Sequence, residues 1–214
     1  MPGEQTFALD IETISTCENP DFNDPAHWIP FAIAVGHQDE SMREPEVEVI
    51  FREDSSIGAE ARMLNDAFDW ISSRSDGGDR VLLTYNGDSY DLPILKHRAY
   101  RVRQAEPGVN VVERLYLLLK GSYHVDLILD MKNQEGYWVS LDDALNMHSI
   151  DADEPEWMGK TVTGADMPEM GLELLSDRPN SNLREAVRRY AASDVGPLFE
   201  LHAALTGDRV PGRQ

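Results

Sequence analysis

Two acids at alternate positions are the first sign of chemistry in this chain. Asp10 and Glu12 lie in FALDIET, where Phe7, Leu9 and Ile11 alternate with Ala8, Asp10 and Glu12. A period of two predicts a strand, and residues i and i+2 of a strand share a face. Side-by-side carboxylates repel unless a cation lies between them. Simple solvation on an exposed face is the other reading, but the apolar surroundings suit a central strand better. A second pair is Tyr190 and Asp194, whose i, i+4 spacing puts both on one helical face. A phenol beside a carboxylate can orient a metal-held water; a core tyrosine next to an exposed acid is the plain alternative. The third cluster is Asn86 to Asp91 in LLTYNGDSYDLPIL. Here an apolar run ends in Asn-Gly-Asp, a turn signal. Asp91 opens the next helix, where capping is an alternative role, and Asp88 reads as a turn residue.

These residues need elements to position them. FAIAVG (31–36) and VEVIF (47–51) read as two further strands, giving an antiparallel meander with the first, and NPDFNDPAHWIP (19–30) reads as a loop. Ile57, Ala61, Leu64, Phe68 and Ile71 step by four and three, which predicts an amphipathic helix over 57–73, ended by the glycines of SRSDGGD (73–79). VLLTY (81–85) reads as a buried strand, and 91–103 as a helix with Leu92, Leu95 and Ala99 inward. HVDLILDM (124–131) reads as strand or loop, SLDDALNM (140–147) as a helix opened by Ser140. Residues 151–181 show no clear period, and 182–206 are helical. Pro197 removes a helical hydrogen bond and crowds the Ser193 carbonyl, so that helix is expected to kink or restart just after Asp194. Strands followed by interleaved helices and strands make a mixed α/β domain.

The chain has 214 residues, enough for one domain over 1–214 with a sizeable core. Its single cysteine, Cys17, excludes a disulfide framework and a cysteine zinc cage. No apolar run reaches the length of a spanning helix. MPGEQTFALDIET carries no basic stretch before an apolar one, so no signal peptide and a cytoplasmic location are expected. Net charge is −20, from 39 acids against 19 Lys and Arg. Such a surface opposes nucleic-acid binding through a basic groove. Lysine is confined to Lys96, Lys120, Lys132 and Lys160. Acid excess with scarce lysine suits a halophilic protein; the rival explanation is a basic partner. Lys96, Arg98, Arg101 and Arg103, and Arg184, Arg188 and Arg189, are the two basic clusters able to hold a phosphate backbone, or else to balance surface acids. Trp157, Met158 and Lys160 mark a candidate substrate-facing loop, with Trp157 able to stack on a base or to anchor the core.

Together, FALDIETIS, YNGDSYDLPIL and YAASD resemble the three motifs of the DnaQ-like 3′–5′ exonucleases of the ribonuclease H-like superfamily. The first motif, Asp-x-Glu, is met by Asp10 and Glu12. The second, Asn-x3-[Phe/Tyr]-Asp, is met by Asn86, Tyr90 and Asp91. The third occurs as Tyr-x3-Asp or His-x4-Asp; Tyr190 and Asp194 meet the former, and Arg189 stands where the latter would need histidine. The pattern is therefore the tyrosine (DEDDy) subtype. It looks most like the stand-alone exonucleases related to the family-B DNA polymerase exonuclease domain, a group that HVDL (124–127) with SLDDALNMHSI also resembles.

The resemblance implies a mixed sheet with helices on both faces and a two-metal mechanism. Two Mg²⁺ or Mn²⁺ ions would be held by Asp10, Glu12, Asp91 and Asp194. Asp10 would bridge both, Glu12 and Asp194 would complete the site that activates water, and Asp91 would serve the leaving-group ion. Tyr190 would position the attacking water. Asn86 and Tyr90 would be substrate supports, Asn86 tying the turn and Tyr90 packing near the terminal nucleotide, or both would be structural. The implied function is exonuclease action at a nucleic-acid 3′ end, releasing 5′-mononucleotides. Single-stranded DNA is the expected partner, with RNA as the alternative, and DNA repair or end-trimming the expected setting. The rivals are an RNase D-like exoribonuclease and a non-catalytic ribonuclease H-like binding domain. Nothing in the sequence names a protein partner.

Overall fold

The computed structural model describes residues 5–75, 79–176 and 180–207. The meander is present as β1 (Gln5–Ser15), β2 (Trp28–Gln38) and β3 (Glu46–Phe51), paired antiparallel. Helix α1 (Ile57–Arg74) returns the chain to β4 (Arg80–Thr84), which lies parallel to β1. Ser56 caps α1 by accepting the Ala59 amide at 3.1 Å. The glycine-rich stop expected at 73–79 falls partly outside the described residues. Helices α2 (Asp91–Ala105) and α3 (Val111–Lys120) then lead to β5 (Ser122–Asp126), parallel to β4. The five strands run in the order β3-β2-β1-β4-β5, which puts β1 at the centre.

Alternation along β1 sorts the core into two layers. Phe7, Leu9 and Ile11 pack with Ile33, Val35 and Leu82 against α1, α2 and α3. On the other face Ala8, Ala32, Ala34, Val81 and Leu83 meet α4 (Leu127–Glu135), α5 (Leu141–Met147), α6 (Met167–Leu174), α7 (Ser181–Val195) and α8 (Leu198–Thr206). Asp10 and Glu12 belong to this second face by register, which is where the site lies. Gly171 of α6 lets that helix settle onto the sheet beside it. A Cβ there would stand 2.6 Å from the Phe31 ring and 2.7 Å from Ile14, an overpacking that costs about 1–3 kcal/mol.

The expectations need correcting at several places. Trp28, Ile29 and Pro30 belong to β2, not to a loop, because Trp28 is buried and the strand must reach Ser15 to complete its register. HVDLILDM divides: β5 ends at Asp126, and the LILDM half is helix α4, with Leu127 and Met131 sharing a buried face four residues apart. The 151–181 segment holds a two-residue hairpin, β6 (Glu156–Trp157) with β7 (Lys160–Thr161), and helix α6. Helix α3 had no predicted counterpart. The 182–206 helix is two helices, broken at Gly196–Pro197 as the proline requires. No helix among the described residues is long and apolar enough to cross a membrane.

Candidate metal-dependent active site

The centre of the site is made by β1. Its ladder with β4 ends at Ala8↔Leu83, so beyond that point the β4-side edge of β1 loses its strand partner. The freed amide of Ile11 donates instead to Asp91 Oδ1 at 3.2 Å. A buried backbone donor needs some acceptor, and this one fixes a carboxylate 80 positions away beside Asp10 and Glu12. The register with β2 shifts between Glu12 and Thr13, a bulge just beyond the two acids.

The turn from β4 to α2 brings Asp91 in. Asn86 adopts φ 68°, a left-handed conformation that asparagine tolerates. Asp126, at the end of β5, accepts the Asn86 amide at 2.7 Å and the Asp88 amide at 2.9 Å, clamping the turn with one carboxylate. The Asn86 carbonyl in turn accepts the amides of Ser89 and Tyr90. Asn86 therefore ties the turn through its backbone. Tyr90 occupies the N-cap position and caps nothing with its side chain. Its hydroxyl lies 2.7 Å from that of Thr13, and its ring meets Trp28 edge-on at 5.6 Å. Asp91 is the first residue of α2, and its carboxylate faces β1, held by the Ile11 amide and by its own. Asp88 stays at the turn, 3.4 Å from His124 Nδ1.

Tyr190 and Asp194 come from the last turn and a half of α7, before the break at Gly196–Pro197. The Tyr190 hydroxyl donates to the Asp194 carboxylate. Asp10, Glu12 and Asp194 each offer an oxygen, all within 4.8 Å of one another. One cleft of about 510 Å³ is lined by Asp10, Glu12, Asn86, Tyr90, Asp91, Tyr190 and Asp194, so all the predicted site residues meet in it.

The electrostatics are those of a buried anion cluster. Burial, then Asp91, Glu12 and Asp194, hold Asp10 well above the usual carboxylate range. Burial, then Asp194 and Asp91, do the same to Glu12. Burial also pushes Asp91 up to about 7, against the lowering effect of its backbone hydrogen bonds. Asp194 rises to about 7 through burial, opposed by the Tyr190 hydrogen bond. The Tyr190 phenol is driven far up by burial and then by Asp194, and stays protonated. Glu12 Oε1 is buried and has no hydrogen-bond partner among the described residues. An orphaned buried carboxylate oxygen within an all-oxygen donor set fits a hard divalent cation.

Neither basic cluster reaches the cleft. Arg98 is buried, with Nε 2.5 Å from Glu60 Oε1. Arg184 pairs with Glu53, Arg188 with Glu48, and Arg189 with Asp153 through both nitrogens. Most of these partners are distant in sequence and lie in other elements; within α7 itself Arg188 also pairs with Glu185 at 3.6 Å. Trp157 is a partly buried anchor packed on the core, and Met158 beside it is exposed. Sequence reasoning did not single out Asp126 or Thr13 as supports of the site. HVDL pointed at Asp126 without giving its role; nothing marked Thr13.

No protein-family model matches the chain, and no curated protein matches it. Similar solved structures include a product-bound exonuclease I, 16% identical over 98% of this chain and 45% of that one, with a TM-score of 0.48. Exonuclease I of Methylocaldum szegediense is 15% identical over 96% of this chain and 43% of its own, with a TM-score of 0.39. E. coli exonuclease I in complex with a 5cy-dT13 oligonucleotide is 16% identical over 98% of this chain and 42% of its own, with a TM-score of 0.42. The chain thus spans less than half the length of these structures. Its own mixed sheet, in the order β3-β2-β1-β4-β5 with only β2 reversed and helices on both faces, has the ribonuclease H-like fold expected from the sequence.

Proposed function

We propose that this chain is a metal-dependent 3′–5′ exonuclease of the DnaQ-like tyrosine subtype, related to the family-B polymerase exonuclease domain. It would act as one domain on the 3′ end of single-stranded DNA and release 5′-mononucleotides. The observation that carries this reading is the convergence of Asp10, Glu12 and Asp194 oxygens within 4.8 Å, with Asp91 beside them. Four carboxylates would hold two Mg²⁺ or Mn²⁺ ions, which supply charge stabilisation at the attacking and leaving oxygens of phosphodiester hydrolysis. The chain's own residues do the rest. Asp10 and Glu12, fixed to a central strand, present oxygens that cannot retreat into solvent. The Ile11 amide holds Asp91 in place. Tyr190, protonated and hydrogen-bonded to Asp194, has a hydroxyl able to orient a water toward the scissile phosphate. Asn86 and Tyr90 fix the turn that delivers Asp91 and shape the cleft wall.

The test is hydrolysis of a 5′-labelled single-stranded DNA oligonucleotide by chelated protein, with and without added Mg²⁺ or Mn²⁺. Metal-dependent, stepwise shortening from the 3′ end with mononucleotide products supports the reading. Activity that survives exhaustive chelation, or internal cuts, removes it. A preference for RNA of the same sequence would move the assignment to an exoribonuclease with the same chemistry.

A further inference from the structure

Tyr190 is held from two sides, and its own helix supplies only one of them. On α7 its hydroxyl donates to Asp194. Facing it is a strap, residues 151–166, strung between the buried Ile150 and the buried Met167. The strap is fastened to α7 one residue before Tyr190, where Arg189 Nε and Nη2 donate to the two oxygens of Asp153 at 2.9 and 2.8 Å. Within the strap the Val162 amide donates to the Pro155 carbonyl at 2.8 Å, and Trp157 and Val162 pack on the core. Just beyond, Asp166 Oδ2 accepts the Thr163 amide at 2.9 Å and the Thr163 hydroxyl at 2.7 Å. The Asp166 amide donates back to the Thr163 carbonyl at 2.9 Å. Gly164 sits inside this closed turn. It lines the carboxylate cleft and also a second cavity of about 420 Å³, and Tyr190 and Asp194 are the other residues common to both. A Cβ on Gly164 would stand 3.2 Å from the Tyr190 hydroxyl, and that hydroxyl is the one group it would meet within 4 Å among the described residues outside its chain neighbours. Non-bonded heavy atoms prefer about 3.5–4.0 Å, so one side would have to give by a few tenths of an ångström. The strap is fastened on both sides of Gly164, whereas the hydroxyl is the far end of a side chain, so the hydroxyl is the side that moves.

We propose that the 151–166 strap sets the place of the Tyr190 hydroxyl, and that Gly164 is the positioning residue through which it acts. The proposal rests on the nuclease reading of the same cleft, in which that hydroxyl orients a water. The absent side chain at 164 leaves the hydroxyl room to lie against Asp194, and the strap closes the cleft over it. Gly164 touches neither the carboxylates nor the substrate in this scheme, and its effect passes through one atom of Tyr190.

The experiment compares wild type, Gly164→Ala, Tyr190→Phe and the double variant. It measures kcat and KM on a single-stranded DNA oligonucleotide in Mg²⁺, and the rise in Tm that Mg²⁺ gives without DNA. Gly164 lies outside the positive-φ region, so alanine adds no backbone strain there and alters only the contact. A misplacement of about 1 Å can cost on the order of 10²-fold, so a shift of a few tenths should lower kcat about tenfold, with KM within about twofold. The Mg²⁺-induced rise in Tm should match that of wild type, because the carboxylates are untouched. Tyr190→Phe removes the one atom the new methyl group would meet, so adding Gly164→Ala to it should change kcat by less than about twofold. A Gly164→Ala variant with wild-type kcat overturns the positioning role and leaves the nuclease reading standing. So does a loss of equal size in the Tyr190→Phe background, since Gly164 would then act by another route. A Tyr190→Phe variant with wild-type kcat also overturns it, and leaves a metal-dependent nuclease that does not use the hydroxyl. A wild type inert toward oligonucleotides with either metal overturns both.

Discussion

Two groups of buried carboxylates are treated in opposite ways. Glu60 of α1 is completely buried, and each of its oxygens meets a guanidinium. Arg98 of α2 donates through Nε and Nη2 at 2.5 and 2.6 Å, and Arg52 lies 3.3 Å away. Arg52 is itself bound to the carbonyls of Asp54, Ser55 and Ser56. On the opposite face of the sheet, Asp10, Glu12, Asp91 and Asp194 crowd together with no Lys or Arg lining their cleft among the described residues, and Glu12 Oε1 has no partner. A buried acid enclosed by its own cations is part of the framework. Buried acids left without them form the cluster for which we propose an external cation, and their crowding comes at the expense of stability. The same residue type thus separates structure from function by the company it keeps.

Substitution in each region should break the comparison in a different observable. Asp10→Asn should lower hydrolysis by on the order of 10³-fold, because charge stabilisation at the reacting phosphate is lost. The same variant should melt no lower than wild type in EDTA, since one buried anion is gone. Saturating Mg²⁺ should raise the wild-type Tm and leave that of Asp10→Asn nearly unchanged. Near-normal activity in a variant free of contaminating nuclease would remove Asp10 from the site. Glu60→Gln should do the reverse. Breaking a buried pair while leaving two guanidinium groups behind costs about 3–5 kcal/mol. At about 2–4 °C per kcal/mol for a chain of this size, Tm should fall by roughly 10 °C. Activity per folded molecule, measured well below that Tm, should be unchanged.

Acidity sharpens the contrast further. Asp91 and Asp194 are pushed up to about 7, chiefly by burial. The unfolded chain releases those protons near pH 4, so between about pH 4 and pH 7 the folded state holds more protons than the unfolded state. Stability of the metal-free protein should therefore fall as pH rises through that window, by up to about 1.4 kcal/mol per pH unit for each group. Urea titrations in EDTA at pH 5.5, 6.5 and 7.5 measure the slope. Glu60→Gln should keep it; Asp194→Asn should reduce it. A flat profile would mean that the cluster is already neutralised from within. The smallest effect expected is on the surface. Screening the −20 charge should raise Tm by a few degrees from low salt to molar KCl. A Tm that stays flat or falls would discard the halophilic reading and leave a basic partner to account for the charge.

What the sequence alone determined is local. The period of two through FALDIET placed Asp10 and Glu12 on one strand face, the i, i+4 spacing joined Tyr190 to Asp194, and Pro197 broke the helix where it had to. Each follows from backbone geometry within a few residues. Elements without a clear period escaped. In VVERLYLLLK the buried stripe is Val111, Leu115 and Leu118, but Tyr116 and Leu117 are apolar and exposed beside it and mask it in the sequence. In MPEMGLEL a proline and a glycine obscure a helix that the sheet beneath it stabilises. Tertiary structure decided the rest, because the deciding partners lie far off in the chain. Asp91 reads locally as a helix cap or a site acid, and only the fold shows the amide of Ile11, 80 residues earlier, donating to it. Arg98 reads as part of a basic patch until Glu60, 38 residues away, encloses it. Asp126 gains its role only where β5 ends beside the turn at Asn86, 40 residues before it. Spacing along the chain can show that two groups share a face. Which groups face each other across the fold depends on how the β1–β4 ladder ends and which acceptor then takes the exposed amide, and no local pattern carries that information.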